Sequence, residues 1–450
     1  MAVQKDMTVG NPGKIILEFT LPVFMGNLFQ QFYNMADAVI VGKFVGTKAL
    51  AAVGSTGTIM FLILGFVLGM TAGFTVLTAQ KFGAGDMKAM RQTVAGALVL
   101  SAIMSLVLTV VSMVFMKPLL HFMQTPKDIF KDAYVYIMII CAGIFAQMMY
   151  NLLASILRAL GNSRVPLYFL VFAALLNIVL DLVFIIVFKM GTAGAAWATV
   201  TAQGISALLC LGYIAKNVQV LRLKKEDFRF RFHLLWIQIG IGFPMALQYS
   251  ITAIGSMMVQ TSLNMLGSLQ VAAFTAAGKI DQIGNQAFCA MGTAMATYCA
   301  QNVGAGNVKR IREGFRSVTI LGCVYSVVVG AIVAFGGKYL TYLFVSDNVD
   351  TIMGLVDTYL KCVVIFFIPL MIVNVYRNGI QGMGYGLLPM MAGVAELIGR
   401  GAAAIIAAKK HSYIGVCLAS PAAWVLAGGL LLVMYFYIMK HDMKKFEGGD

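Results

Sequence analysis

Polar residues in this chain gather in short clumps, and between the clumps run long apolar stretches. Read against the roughly 20 residues that carry a helix across a bilayer, the stretches predict spans near 14–42, 50–80, 92–115, 132–157, 165–188 and 191–215. A second set follows near 234–265, 270–300, 313–335, 351–376, 384–407 and 412–439. The pattern is therefore that of an all-α integral membrane protein. Twelve spans with short connections put both termini on one side.

The pattern also repeats. "LAAVGSTGTI" (50–59) lies over "VAAFTAAGKI" (271–280), and "QKFGAGD" (80–86) over "QNVGAGN" (301–307), while Gly161 and Gly194 lie over Gly382 and Gly415. The offset is 221 at all four anchors. A register held this far makes each half one six-span unit. Because six is even, both halves enter the membrane in the same direction, an architecture suited to alternating access around a central cavity. The expected division is a first lobe over 1–215, a basic linker over 216–233 and a second lobe with its tail over 234–450.

Composition agrees with the spans: 60% of the 450 residues are hydrophobic and 11% charged, with a mean hydropathy of +0.86, a balance foreign to soluble domains. The net charge of +15 sits in the segments between spans, which speaks against a nucleic-acid-binding face. Lys and Arg number 21 on the side of the termini against nine in the opposite loops. The positive-inside bias then places both termini in the cytoplasm, with the protein multi-pass in the cell membrane. The polar start followed by a long apolar run without a small-residue cleavage site reads as a retained first span, not a signal peptide. Seven cysteines lie inside apolar stretches with no CxxC, so neither disulfides nor a metal site is expected.

The candidate chemistry is what remains polar inside the spans. Asp37 sits in "FYNMADAVIVGKF", where an ionised carboxylate costs about 2.5–3.5 kcal/mol and must face protein or water. Gln30, Asn34 and Asp37 share one helical face by spacing, and in "LNIVLDLVF" Asn177 and Asp181 stand one turn apart. At about 1.5 Å per residue, Asp37 lies roughly 9 Å inside Lys43, Asp181 roughly 12 Å inside Lys189, and Thr199 at a similar depth in the sixth span. Two acids sharing a low-dielectric site cannot both stay ionised without a positive charge, and oxygen ligands of this kind suit a proton or Na⁺. A packing cluster joining three helices is the alternative reading.

The second half lacks this cluster, since Asp181 maps to Ala402 and Asn177 to Ile398. It carries instead a neutral stripe with Gln248 and Thr252 in span seven, and Asn374 and Asn378 in span ten, which either line a wet cavity or link helices. Glu396 and Arg400, one turn apart in span eleven, read as an ion pair or as groups that contact substrate, and Asp281 marks span eight. Gln203 completes the cavity candidates. Pro22 and Pro244 occupy matching places in spans one and seven, where each removes a backbone hydrogen bond and bends its helix.

With "LPVFMGNLFQQFYNMADAVIVGKFVG", "ALAAVG", the twinned "GAG" turns, "ILRALGNSRVP" and "GTAGAAWAT", the chain resembles the multidrug and toxic compound extrusion (MATE) family along essentially its whole length. The resemblance implies twelve helices in two six-helix lobes around a cavity, exporting amphipathic, often cationic compounds in exchange for H⁺ or Na⁺. In the DinF-like branch, the family's coupling residues match Asp37, Asn177, Asp181 and Thr199. The acids that the NorM-like branch carries in spans seven and ten are absent, which argues against a sodium site in the second lobe.

The expected function is therefore cation-coupled export of small amphipathic molecules by a monomer in a lipid membrane, with no cofactor beyond the coupling ion. A flippase for a lipid-linked saccharide, or an exporter of a small polar metabolite, are the alternatives. Enzymatic chemistry is not expected, because His121, His233, His411 and His441 all lie in loops or at span ends, away from any nucleophile or metal set.

Overall fold

The structure, a computed structural model, describes residues 6–123, 125–229, 231–343 and 349–442; among these there is no strand. In hydrocarbon every backbone N–H and C=O needs a partner within its own segment, which is what a helix supplies. The predicted spans appear accordingly. The first half comprises α1 (Pro12–Phe44), α2 (Thr47–Ser55), α3 (Gly57–Gly83), α4 (Met87–Phe122), α5 (Phe130–Ala142), α6 (Ile144–Ala159), α7 (Arg164–Leu182) and α8 (Thr192–Asn217). The second comprises α9 (Phe232–Asn264), α10 (Ser268–Gly304), α11 (Val308–Gly336), α12 (Val349–Val364), α13 (Phe367–Gly382), α14 (Leu387–Lys409), α15 (Tyr413–Cys417) and α16 (Ala419–His441).

Among the described residues, eight helical segments are long and apolar enough to cross a membrane alone. Two more crossings come from the pairs α5–α6 and α12–α13, bent by 49° and 52°. Helices α1 and α10 have the length, at 33 and 37 residues, but not the apolarity. Polar residues make the deficit, among them Gln30, Asn34 and Asp37 in α1 and Lys279, Asp281 and Gln282 in α10.

The repeat is visible in local geometry. Gly85 and Gly306 close the two GAG turns at φ +71° and +69°, a left-handed conformation that glycine adopts without a side-chain clash. Next to them Asp86 and Asn307, equivalent under the offset, cap α4 and α11, accepting the N–H of Ala89 at 3.0 Å and of Arg310 at 3.3 Å.

Compactness divides the chain elsewhere than at 216–233. One unit holds Met25–Ala246, while the other holds Met7–Phe24 and Leu247–Asp450, so the linker and the start of α9 belong to the first unit and the start of α1 to the second. The physical reason is close helix packing. In the first unit a Cβ added at Gly69 would lie 2.6 Å from the backbone of Ala246, and one at Gly73 would overlap Gly242, so two small-residue faces bring α3 and α9 together. Gln238, fully buried, reinforces this by donating to the carbonyls of Phe74 at 2.9 Å and Thr93 at 2.8 Å. The linker is tied down as well, with Asp227 in an ion pair with Arg91 at 3.3 Å.

In the second unit Ile15, Ile16 and Phe19 of α1 join a core that includes Met295, Tyr298 and Phe315. The chain ahead of α1 is held too. Met7 is fully buried, its N–H donates to Gln301 at 2.9 Å, and the Arg310 guanidinium donates to the carbonyls of Gly10 at 2.8 Å and Met7 at 3.1 Å.

Replacing Gly73 by leucine forces α3 away from α9. Overpacking of this kind costs about 1–3 kcal/mol or more, so the thermal midpoint of the purified protein in detergent falls by several degrees. Gly54→Ala, at a position where an added Cβ meets nothing within 4 Å, leaves it unchanged.

Candidate functional site

In the first unit, α1, α7 and α8 bring four of the predicted residues together. Asp181 is fully buried and Asn177, one turn before it, is nearly so. The carboxyl groups of Asp37 and Asp181 lie close enough for each to act on the other. Asn177 Nδ2 donates to Thr199 Oγ1 at 3.2 Å, and that hydroxyl donates to the Ala195 carbonyl at 3.1 Å. One carboxylate oxygen of Asp37, Oδ1, is buried with no hydrogen-bond donor among the described residues.

Local backbone shapes the site. Immediately after Asp181 the helix widens into a π turn over Val183–Val187, with the Phe188 N–H reaching the Val183 carbonyl at 3.0 Å. Such widened turns concentrate at functional positions. Across the site, Gly143 forms the break between α5 and α6, and a Cβ there would overlap the side chain of Val200, next to Thr199.

On the α1 face, Asn34 is exposed and accepts from Gln30 at 3.4 Å. Tyr33, not among the residues singled out from the sequence, stands close to Thr199 and the acids. The signal was available, since Tyr33 stands exactly one turn before Asp37, but a tyrosine in an apolar run reads as bulk. A small cavity adjoins the acids, and its polar lining is Gln30, Tyr33, Asn177, Thr199 and Gln203. Gln203 Oε1 is buried there without a donor among the described residues. Every oxygen in this set is a hard donor, which fits a proton or a monovalent cation.

The second unit gathers its charges differently. Glu396 and Arg400 do pair, at 2.6 Å, but Glu396 also accepts from Arg377 at 2.6 Å, and all three side chains are buried. The tenth span was expected to end at 376, which left Arg377 among the loop cations; α13 continues to Gly382 and carries Arg377 inside. Arg400 lies along α9, where Gly255 leaves it room. Of the neutral residues, Gln381 links helices by donating to Gln248 at 2.7 Å, whereas Thr252 bonds its own helix at 3.0 Å, and Asn374 and Asn378 bond theirs at 3.0 and 2.8 Å.

The MatE family model matches residues 22–183 and 242–400. A curated relative, the probable multidrug resistance protein YpnP of Bacillus subtilis, is 34% identical over 387 residues, covering 86% of each chain. The chain belongs to the MATE family. A FAD transporter of Shewanella oneidensis is 23% identical over 86% of each chain. A crystal structure of a MATE transporter in complex with MaL6 superposes with a TM-score of 0.90 over 98% of both chains at 22% identity, which establishes the shared fold. As a MATE protein this is a multi-pass membrane transporter, not an enzyme.

For this MATE transporter, the two-to-one ratio of guanidinium to carboxylate in the second unit makes an asymmetric prediction. Glu396→Gln leaves two buried cations without a counter-charge, a loss of about 3–5 kcal/mol. Arg377→Leu leaves a balanced Glu396–Arg400 pair. Thermal unfolding of the two variants in detergent checks this, with Glu396→Gln expected to lie well below Arg377→Leu.

Proposed function

We propose that the protein is a secondary active multidrug exporter, moving amphipathic, mainly cationic compounds out of the cell by antiport with H⁺ or Na⁺. The observation that carries this reading is the facing pair Asp37 and Asp181 on membrane-spanning helices, supported by Asn177, Thr199 and Tyr33. Two carboxyls this close in a low-dielectric site tolerate one another when a positive charge sits between them. Uptake and release of that charge changes the local electrostatics of α1, α7 and α8. A cycle of alternating access follows if the occupied and vacant states differ in free energy between inward-open and outward-open forms.

The role of each group follows from its chemistry. Asp37, the less buried of the two, receives the ion; Asp181 completes the negative site; the Asn177–Thr199 hydrogen bond ties α7 to α8 beside them. The termini lie in the cytoplasm of the cell membrane on the charge bias described above, and the transporter works as a monomer. Names of relatives support the substrate class, since YpnP is named for multidrug resistance. The FAD transporter among the relatives keeps a polar metabolite as the second reading.

The test is transport in proteoliposomes under separately imposed pH and sodium gradients. One of the gradients drives ethidium export by the natural protein, and Asp37→Asn lowers that gradient-driven rate at least tenfold. Unchanged gradient-driven export in Asp37→Asn removes the coupling assignment.

A further inference from the structure

Flanking the buried face of α10 formed by Ala273, Ala277, Ile280 and Gly284, one partly buried stripe runs Phe274, Gly278, Asp281, Asn285. Nothing in the coupling site uses it. Asp281 Oδ1 and Asn285 Oδ1 are both buried and accept no hydrogen bond among the described residues, and no ion pair to Asp281 is formed there. Two acceptor oxygens one turn apart, with no donor for either, create a local demand for positive charge.

Three further features narrow what meets that demand. A Cβ at Gly278 would find nothing within 4 Å, so there is open space one turn from the carboxylate. Phe274 and Tyr359 of α12 pack edge to face beside it, with ring centroids 4.8 Å apart, and Asp281 lies near enough to Tyr359 for its charge to act on the hydroxyl. The neighbouring cation, Arg400, also reaches Tyr359 but is held by Glu396. Two oxygens from one helix fall short of a metal ion's shell, and no third acid, His or Cys joins them in a metal-binding group among the described residues. A carboxylate, open space beside it and aromatic rings are instead the elements that recognise an organic cation.

We infer that Phe274, Gly278, Asp281, Asn285 and Tyr359 form a recognition site for the cationic group of a transported organic molecule, within the second unit and separate from the ion-coupling acids. The inference rests on the exporter reading above and names a substrate contact for it. Asp281 supplies the counter-charge, Asn285 a second acceptor, and the rings a face for the cation.

Fluorescence anisotropy of ethidium with the purified full-length protein, in sodium-free buffer and then with added NaCl, tests the site. Asp281→Asn is expected to raise the Kd at least tenfold, and Asp281→Glu to return it to within threefold of the natural protein. An unchanged Kd in Asp281→Asn overturns the site. So does competition by NaCl that disappears in Asp281→Asn, because it reassigns the oxygens to sodium. Should Asp281→Asn fail to fold, Phe274→Ala and Asn285→Leu carry the test, each raising the Kd at least fivefold; no change in both overturns it. Ethidium transport measured alongside separates the two readings. Natural protein that binds ethidium through Asp281 yet exports it under neither gradient sinks the exporter reading alone; export with an indifferent Asp281 sinks this site alone; no binding at all overturns both.

Discussion

A charge or a hydrogen-bonding group placed in hydrocarbon has to find its partner inside the protein, and this one constraint organises both units. The first unit meets it with an incomplete set. Two acids face each other beside an Asn–Thr hydrogen bond, the arrangement on which the proposed ion coupling rests. The second unit meets it with a closed set, one carboxylate clasped by two guanidiniums. Its surplus positive charge is matched in number by Asp281, which stands apart from the triad. Two halves built from one repeat have therefore taken opposite electrostatic characters.

Backbone irregularity falls where these demands are greatest. The π turn begins two residues after Asp181, and the α5–α6 break at Gly143 lies against Val200, beside Thr199. Pro22 and Pro244 stand just ahead of the residues where α1 and α9 pass from one compact unit to the other. Proline has already removed the hydrogen bond to the residue four positions earlier. A bend at those points therefore breaks no further backbone pairing, and one continuous helix is able to serve two packing environments.

Much of this was legible in the sequence, and what was not shares a physical cause. Apolar run length located the helices, because length is set by bilayer thickness and helical rise. Depth counting brought Asp37, Asp181, Asn177 and Thr199 to one level, and they do meet. Side-chain partnership was harder to read. Arg377 was hidden because one charged residue at the end of an apolar run looks like the first residue of a loop, whereas its partner is 19 positions away on another helix. Tyr33 was overlooked because it stands one turn before Asp37 in a run where an aromatic side chain reads as apolar bulk. The boundary between units was hidden for a similar reason: sequence marks where a chain is polar, while compactness depends on which small residues allow backbones to touch.

The comparison of the halves also explains which features duplication preserved. The GAG turns, their caps at Asp86 and Asn307, and the paired prolines act through the backbone, so any departure there strains a helix whatever its neighbours are. Buried side-chain chemistry answers only to its local partners. With Ala402 and Ile398 where the first half has Asp181 and Asn177, the second half carries no acid at that place. It was then free to assemble a fixed triad on α13 and α14 and to leave an acid on α10. For the antiport proposed above, that divergence has a use. Two identical ionisable clusters would compete for the same small cation, whereas an acid pair serving the proposed driving ion and a carboxylate beside aromatic rings serving the inferred organic cation would keep the two ligands on separate surfaces.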